Sequence, residues 1–115
     1  MTFDDVCALA QVWPGVERGT SYGTPALKVK GKLLTRLKED GQTLVIIGVG
    51  FDEREMLIEA EPEVFHFTPH YRDYPMVLMR LPASNPSTVA SLLLRRWRSI
   101  APKRLVQAFD AAASG

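Results

Sequence analysis

At 115 residues and a net charge of +1, the chain has the length for one domain with its own core, since domains above roughly 70–80 residues need no covalent staples. Near-neutral charge excludes a strong global field for polyanions, and a single cysteine, Cys7, excludes an internal disulfide framework and fits a reducing compartment. Asp4 and Asp5 stand where a signal peptide would be basic, and no apolar run nears the roughly 20 residues of a membrane span, so a cytoplasmic protein without membrane contact is expected.

Thr2 is placed to cap a first helix, with Asp5 answering it as in a capping box, and Phe3, Val6, Cys7 and Ala10 make its buried stripe. Cys7 reads there as a small core side chain. Trp13-Pro14-Gly15 ends the helix, because proline forbids its continuation. The turn-rich stretch Thr20 to Pro25 leads into three strands, Ala26 to Lys30, Lys32 to Lys38 and Gln42 to Ile47. Lys30-Gly31-Lys32 and Glu39-Asp40-Gly41 connect them, the second as a hairpin signal. Alternation sends Leu27, Val29, Leu33, Thr35 and Leu37 one way and Lys28, Lys30, Lys32, Leu34, Arg36 and Lys38 the other. A sheet with one wet, mostly basic face gives that pattern. Leu44-Val45-Ile46-Ile47 is apolar throughout and reads as a central strand.

Gly48-Val49-Gly50 breaks the sheet but lacks both the third glycine of a dinucleotide fingerprint and the Lys-Ser/Thr of a phosphate loop. A second helix runs from Asp52 to about Ala60, with Asp52 as N-cap and Phe51 and Met56 at the positions of a hydrophobic staple. From Asp52 to Glu63 there are six acidic residues against Arg54 alone, while Arg95 to Arg104 holds five basic residues and no acidic one. Solvated helix faces account for both runs. Pro62 ends the second helix, and Val64 to Phe67 reads as a short edge strand. His66 and His70 have the spacing that binds metal on a helix, with Glu63 nearby. Pro69 lies between them and breaks that helix, so neither a metal nor a cofactor is expected.

After Tyr74-Pro75 comes the strand Met76 to Leu81. Asn85 then caps a third helix with Pro86 at its first position, a buried stripe of Val89, Leu92, Leu93, Trp97 and Ile100, and Arg95, Arg96 and Arg98 outside. Ala101-Pro102 opens a last helical stretch in which Leu105, Val106 and Phe109 pack inward, Lys103 and Arg104 extend the basic surface, and residues 111–115 are expected to fray. The elements add up to an α+β domain: an antiparallel sheet of four or five strands with helices packed on one face.

No nucleophile elbow or separated carboxylate pair is present, so a non-enzyme is expected, with His66, His70 and Tyr71 the one group to test for catalysis. Two binding readings follow. In the first, DNA is the partner: Lys28, Lys30, Arg36, Lys38 and Arg80 contact phosphates from the sheet face, Arg95, Arg96, Arg98, Lys103 and Arg104 form a second patch, and tyrosines stack. In the second, a small ligand or a protein sits at the 68–75 loop against Tyr22, His70, Tyr71, Arg72 and Tyr74. A concave apolar pocket lined by Tyr22, His70 and Tyr71 would favour the second. A monomer is the working expectation in either case.

The order of elements resembles the MmcQ/YjbR family of small bacterial proteins over nearly the whole chain. The matching features are Pro14-Gly15-Val16-Glu17, Tyr22-Gly23-Thr24-Pro25 before Leu27-Lys28-Val29, and Pro62-Glu63-Val64-Phe65. Further on they are Thr68-Pro69-His70-Tyr71, and the Leu92-to-Trp97 helix with Ala101-Pro102-Lys103-Arg104-Leu105 after it. Where many relatives carry a Lys before a His-Trp pair, this chain reads Arg72-Asp73-Tyr74-Pro75. The resemblance implies a double-wing-like α+β fold and a DNA-binding role, with no catalytic residues to carry over.

Overall fold

The computed structural model describes residues 1–114. Its six strands are β1 (Val16–Ser21), β2 (Thr24–Val29), β3 (Lys32–Leu37), β4 (Thr43–Ile47), β5 (Phe65–His66) and β6 (Met76–Arg80). They form one sheet in the order β1-β2-β3-β4-β6-β5, antiparallel at every junction. The helices are α1 (Phe3–Ala10), α2 (Phe51–Ala60), α3 (Pro86–Ile100) and α4 (Lys103–Ser114). The α+β class stands, with β1 the strand the sequence reading lacked. Its Glu17-Arg18-Gly19-Thr20 centre is exposed throughout, so no apolar alternation marks it; a polar edge strand is how a sheet avoids pairing with other chains.

The main core lies between the sheet and the helices. Phe3, Val6, Cys7 and Ala10 of α1 and Val89, Leu92, Leu93, Trp97 and Ile100 of α3 close over Leu27, Val29, Leu34, Leu44, Ile46, Val77 and Met79 of the sheet. Both expected stripes are buried, and β4 is central. The Thr2–Asp5 capping box forms as expected, and Asn85 accepts the Thr88 N–H at the start of α3. Trp97 is fully buried and donates its indole N–H to the Pro14 carbonyl at 2.9 Å. Two tight hairpin turns, Tyr22-Gly23 and Lys30-Gly31, have both central residues at positive φ, the conformation whose twist matches that of the strands.

Local differences from the sequence reading have physical causes. Helix α1 stops at Ala10, short of the expected Trp13-Pro14 boundary, since the residue before a proline avoids helical backbone and Trp13 is instead buried in the core. Helix α2 is capped by Gly50 with no side-chain bond, so Asp52 is a first-turn residue rather than the N-cap. Nor do Phe51 and Met56 make a staple: both are exposed, and Phe51 lies 5.0 Å from the Arg54 guanidinium. Helix α4 continues to Ser114, because alanines sustain a helix, so residues 111–114 are helical; Gly115 lies outside the described residues.

Candidate ligand cleft on the second sheet face

The face of the sheet away from the helices was expected to be open and basic, and the register corrects that. A β-bulge in β3 shifts the β2–β3 pairing between Leu27–Thr35 and Lys28–Leu33. A bulge places two successive residues on one side of the strand. Leu34 therefore joins the helix-side core, and Leu33, expected there, turns to the second face. Alternation alone assigns these two leucines the wrong way round. On that second face Val45 stands opposite Leu78 and Ile47 opposite Met76, and Tyr71 packs over them as a small separate cluster. The centre of the face is apolar.

The 67–75 segment reaches this face because α2 holds it. Arg54, 5% exposed, extends its terminal nitrogens to the carbonyls of Tyr71, Arg72, Tyr74 and Met76 at 2.8–3.3 Å. Its guanidinium also lies 4.1 Å from the centroid of the Phe67 ring. A planar fork with fixed donors suits such a set of carbonyls better than an ammonium does. Sequence reasoning gave Arg54 no role. The signal was present: a lone cation in an otherwise acidic helix is kept for a partner inside the fold.

Between loop and strands lies a hollow of about 760 Å³, floored by Leu33, Val45, Ile47 and Met76 and walled by Tyr22, His70, Tyr71 and Tyr74, with Arg36, Lys38 and Glu39 along one side. A hollow of the kind that would favour the second sequence reading is therefore present. Four of its five expected residues line it; the fifth, Arg72, does not, and contributes its backbone carbonyl to Arg54. His70 meets Tyr71 edge to face at 4.7 Å. Tyr22 is 86% exposed with its ring 5.3 Å from the Arg36 guanidinium.

Arg36 is no free phosphate ligand. It is 7% exposed and donates to Tyr71 Oη at 2.9 Å, Thr24 Oγ1 at 3.3 Å and Glu39 Oε1 at 3.5 Å. Four other arginines expected to contact phosphate are also engaged. Arg80 donates to the carbonyls of Pro62 and Glu63, and Arg96 to that of Leu33, where β3 extends beyond its pairing with β4. Arg95 forms a two-bond pair with Glu53, and Arg98 another with Asp110; each pair holds its guanidinium pKa above the ordinary arginine value. Among the described residues Lys28, Lys30, Lys38, Lys103 and Arg104 form no ion pair. Lys30 and Lys38 are placed differently: the Lys30 stem lies against the Gly15 turn beside Leu105, whereas Lys38 borders the cleft.

The two histidines are separated, His70 on the cleft wall and His66 in a second hollow of about 320 Å³ with Asp40, Gln42, Thr43 and Arg80. Burial first, then the positive charges of Arg80 and Lys38, hold His66 below its ordinary pKa. Cys7 is free and buried in the core, where burial raises its pKa, so its thiol is a packing group. No helix among the described residues is long and apolar enough to cross a membrane.

Fold and cleft together define an α+β domain whose sheet is sealed by helices on one side and keeps an aromatic-walled hollow on the other. The chain belongs to the same family as the uncharacterized proteins Rv2570 of Mycobacterium tuberculosis and Mb2600 of Mycobacterium bovis. It is 36% identical to each over 92 residues, a stretch covering 77% of this chain and 71% of either relative. No protein-family model and no solved structure matches it.

Proposed function

We propose that the protein is a non-catalytic binding domain that takes a small molecule in the cleft on the second sheet face. The observation that carries this is the floor itself: Leu33, Val45, Ile47 and Met76 line a concavity of about 760 Å³, within the span usual for ligand sites. Leu33, Ile47 and Met76 are half-buried there and Val45 is buried, so the apolar body of a ligand would complete the burial of the first three. A binding role fits the polar groups as well. The Tyr71 hydroxyl is engaged by Arg36, and His70 meets the same ring by its edge, so no nucleophile and base are paired there. A cytoplasmic setting goes with this reading, on the buried unpaired thiol of Cys7.

A panel of uncharged and charged aromatic fragments, followed by methyl NMR of Val45, Ile47 and Met76, tests it. Binding fragments should shift those methyls, and Ile47→Trp, which fills the floor, should remove the response. Fragments that bind equally well after Ile47→Trp would place the site elsewhere.

DNA binding, implied by the resemblance to the MmcQ/YjbR family, is the second proposal and rests on Lys28, Lys30, Lys38, Lys103 and Arg104. Affinity carried by up to five phosphate contacts falls by as much as roughly three orders of magnitude between about 50 and 200 mM salt. Under the cleft reading, titration with duplex and single-stranded DNA shows no such slope. A steep slope that Lys103→Glu with Arg104→Glu flattens would reverse the ranking.

A further inference from the structure

The cleft lining is lopsided in charge, and one of its cations has no ion-pair partner. Arg36 and Glu39 face each other, and Arg36 is further engaged by Tyr71 and Thr24. Lys38 is different. Its Nζ stands 5.0 Å from the centroid of the Tyr71 ring, and among the described residues no carboxylate lies within ion-pair distance of it. Glu39 and Asp40 feel its charge from farther off, so the cleft offers one ammonium without a direct ion pair beside an aromatic wall and an apolar floor.

Tyr22 adds an independent observation. It sits in the β1–β2 turn at φ +53, immediately before Gly23 at φ +76. Glycine and asparagine adopt that conformation at lower cost than an aromatic residue does. The tyrosine at this strained position is almost fully exposed and lines the cleft. Lys30 has the same backbone in the next hairpin, so what sets Tyr22 apart is a costly bulky residue whose exposed ring borders the cleft.

We propose that the cleft recognises a planar aromatic anion, an aryl carboxylate in its simplest form, with the negative charge at Lys38 Nζ and the ring over Leu33, Val45, Ile47 and Met76 beside Tyr22. This deepens the binding-site reading above and rests on it. The apolar floor accepts the ring, the tyrosines supply stacking faces, and Lys38 selects the sign of the charge. A cationic ligand of the same shape would meet two cations against one carboxylate, Arg36 and Lys38 against Glu39. The two cations disfavour it, and it supplies Lys38 with no counter-charge.

The test compares three probes with one ring system: 2-naphthoate, 2-naphthalenemethanol and 2-naphthylmethylammonium. Each is titrated into the full chain while cleft methyl resonances are followed. Naphthoate should bind up to about fivefold more tightly than the alcohol, and the ammonium most weakly, as expected where one exposed charge pair contributes at most about 1 kcal/mol. Lys38→Met keeps the aliphatic stem and should abolish the preference for naphthoate over the alcohol. Tyr22→Asn should weaken all three. Equal binding of naphthoate and alcohol, both unaffected by Lys38→Met, would overturn the anion assignment while the cleft stands as a site. Preference for the ammonium would overturn the sign of the charge. Failure of all three probes to shift the cleft methyls would overturn the binding-site reading as well.

Discussion

The two faces of one sheet carry similar side chains and end differently. On the helix side Leu44, Ile46, Val77 and Met79 are fully buried under α1 and α3. On the other side Val45 and Leu78 are buried in a small cluster with Tyr71, while Ile47 and Met76 are partly exposed. The first face is sealed by two amphipathic helices whose stripes are built for it. The second is roofed by an irregular loop whose carbonyls depend on one arginine. The difference separates stability from function: the helix side holds the fold, whereas the loop side is open enough to admit a partner.

The largest effects should come from the helix side. Trp97→Ala removes a fully buried ring that packs edge to face on Phe109 at 5.2 Å and donates to Pro14, and should cost about 3–5 kcal/mol in urea unfolding. Arg54→Ala should cost about 2–3 kcal/mol, because it leaves the carbonyls of the 71–76 segment without their donors. The comparison sharpens in hydrogen exchange: Trp97→Ala should lower protection throughout, Arg54→Ala chiefly across 67–75. A Trp97→Ala-like, uniform loss in Arg54→Ala would break the distinction between the faces.

What the sequence revealed follows the same division. Helix stripes, the Thr2 and Asn85 caps and the central strand were legible because a regular period exposes one side of an element at a time. The second face was not legible, for three reasons lodged in particular residues. The bulge in β3 exchanged Leu33 with Leu34, which no alternation rule anticipates. Tyr71 and Tyr74 reach the cleft through a loop with no period. Charge runs conceal pairing: Arg95 and Arg98 read as a solvated patch, yet each meets a carboxylate from another helix. The candidate residues Tyr22, His70, Tyr71 and Tyr74 were accessible only as an unusual cluster of aromatics, and their convergence needed the fold.

A smaller effect, with opposite sign, is expected at the rim. Tyr22→Asn relieves positive-φ strain in a turn whose flanking pair, Ser21 and Thr24, stays in register, and should stabilise the chain by about 1 kcal/mol, seen as a higher Tm. Gain in stability with loss of naphthoate binding would mark Tyr22 as held for the cleft. A fall in Tm would mean that its ring contributes to folding through Arg36, and would move it to the structural side of the comparison.

The smallest effect concerns pH and the far end of the same face. His66 lies opposite Leu78, with its Nδ1 buried and without a partner among the described residues, and burial, Arg80 and Lys38 hold its pKa below 6.5 against the weaker opposing pull of Asp40. The unfolded chain accepts a proton at this imidazole more readily than the folded one. Its contribution is therefore complete above pH 6.5 and is lost as the pH falls from there through the lowered folded value. Between about pH 7.5 and 5.5 the urea midpoint of the native chain should fall more than that of His66→Phe, which has no proton to take up. Parallel midpoints in the two proteins would show that the end of the second face near β5 admits water and charge freely, and that only the loop-covered centre excludes them.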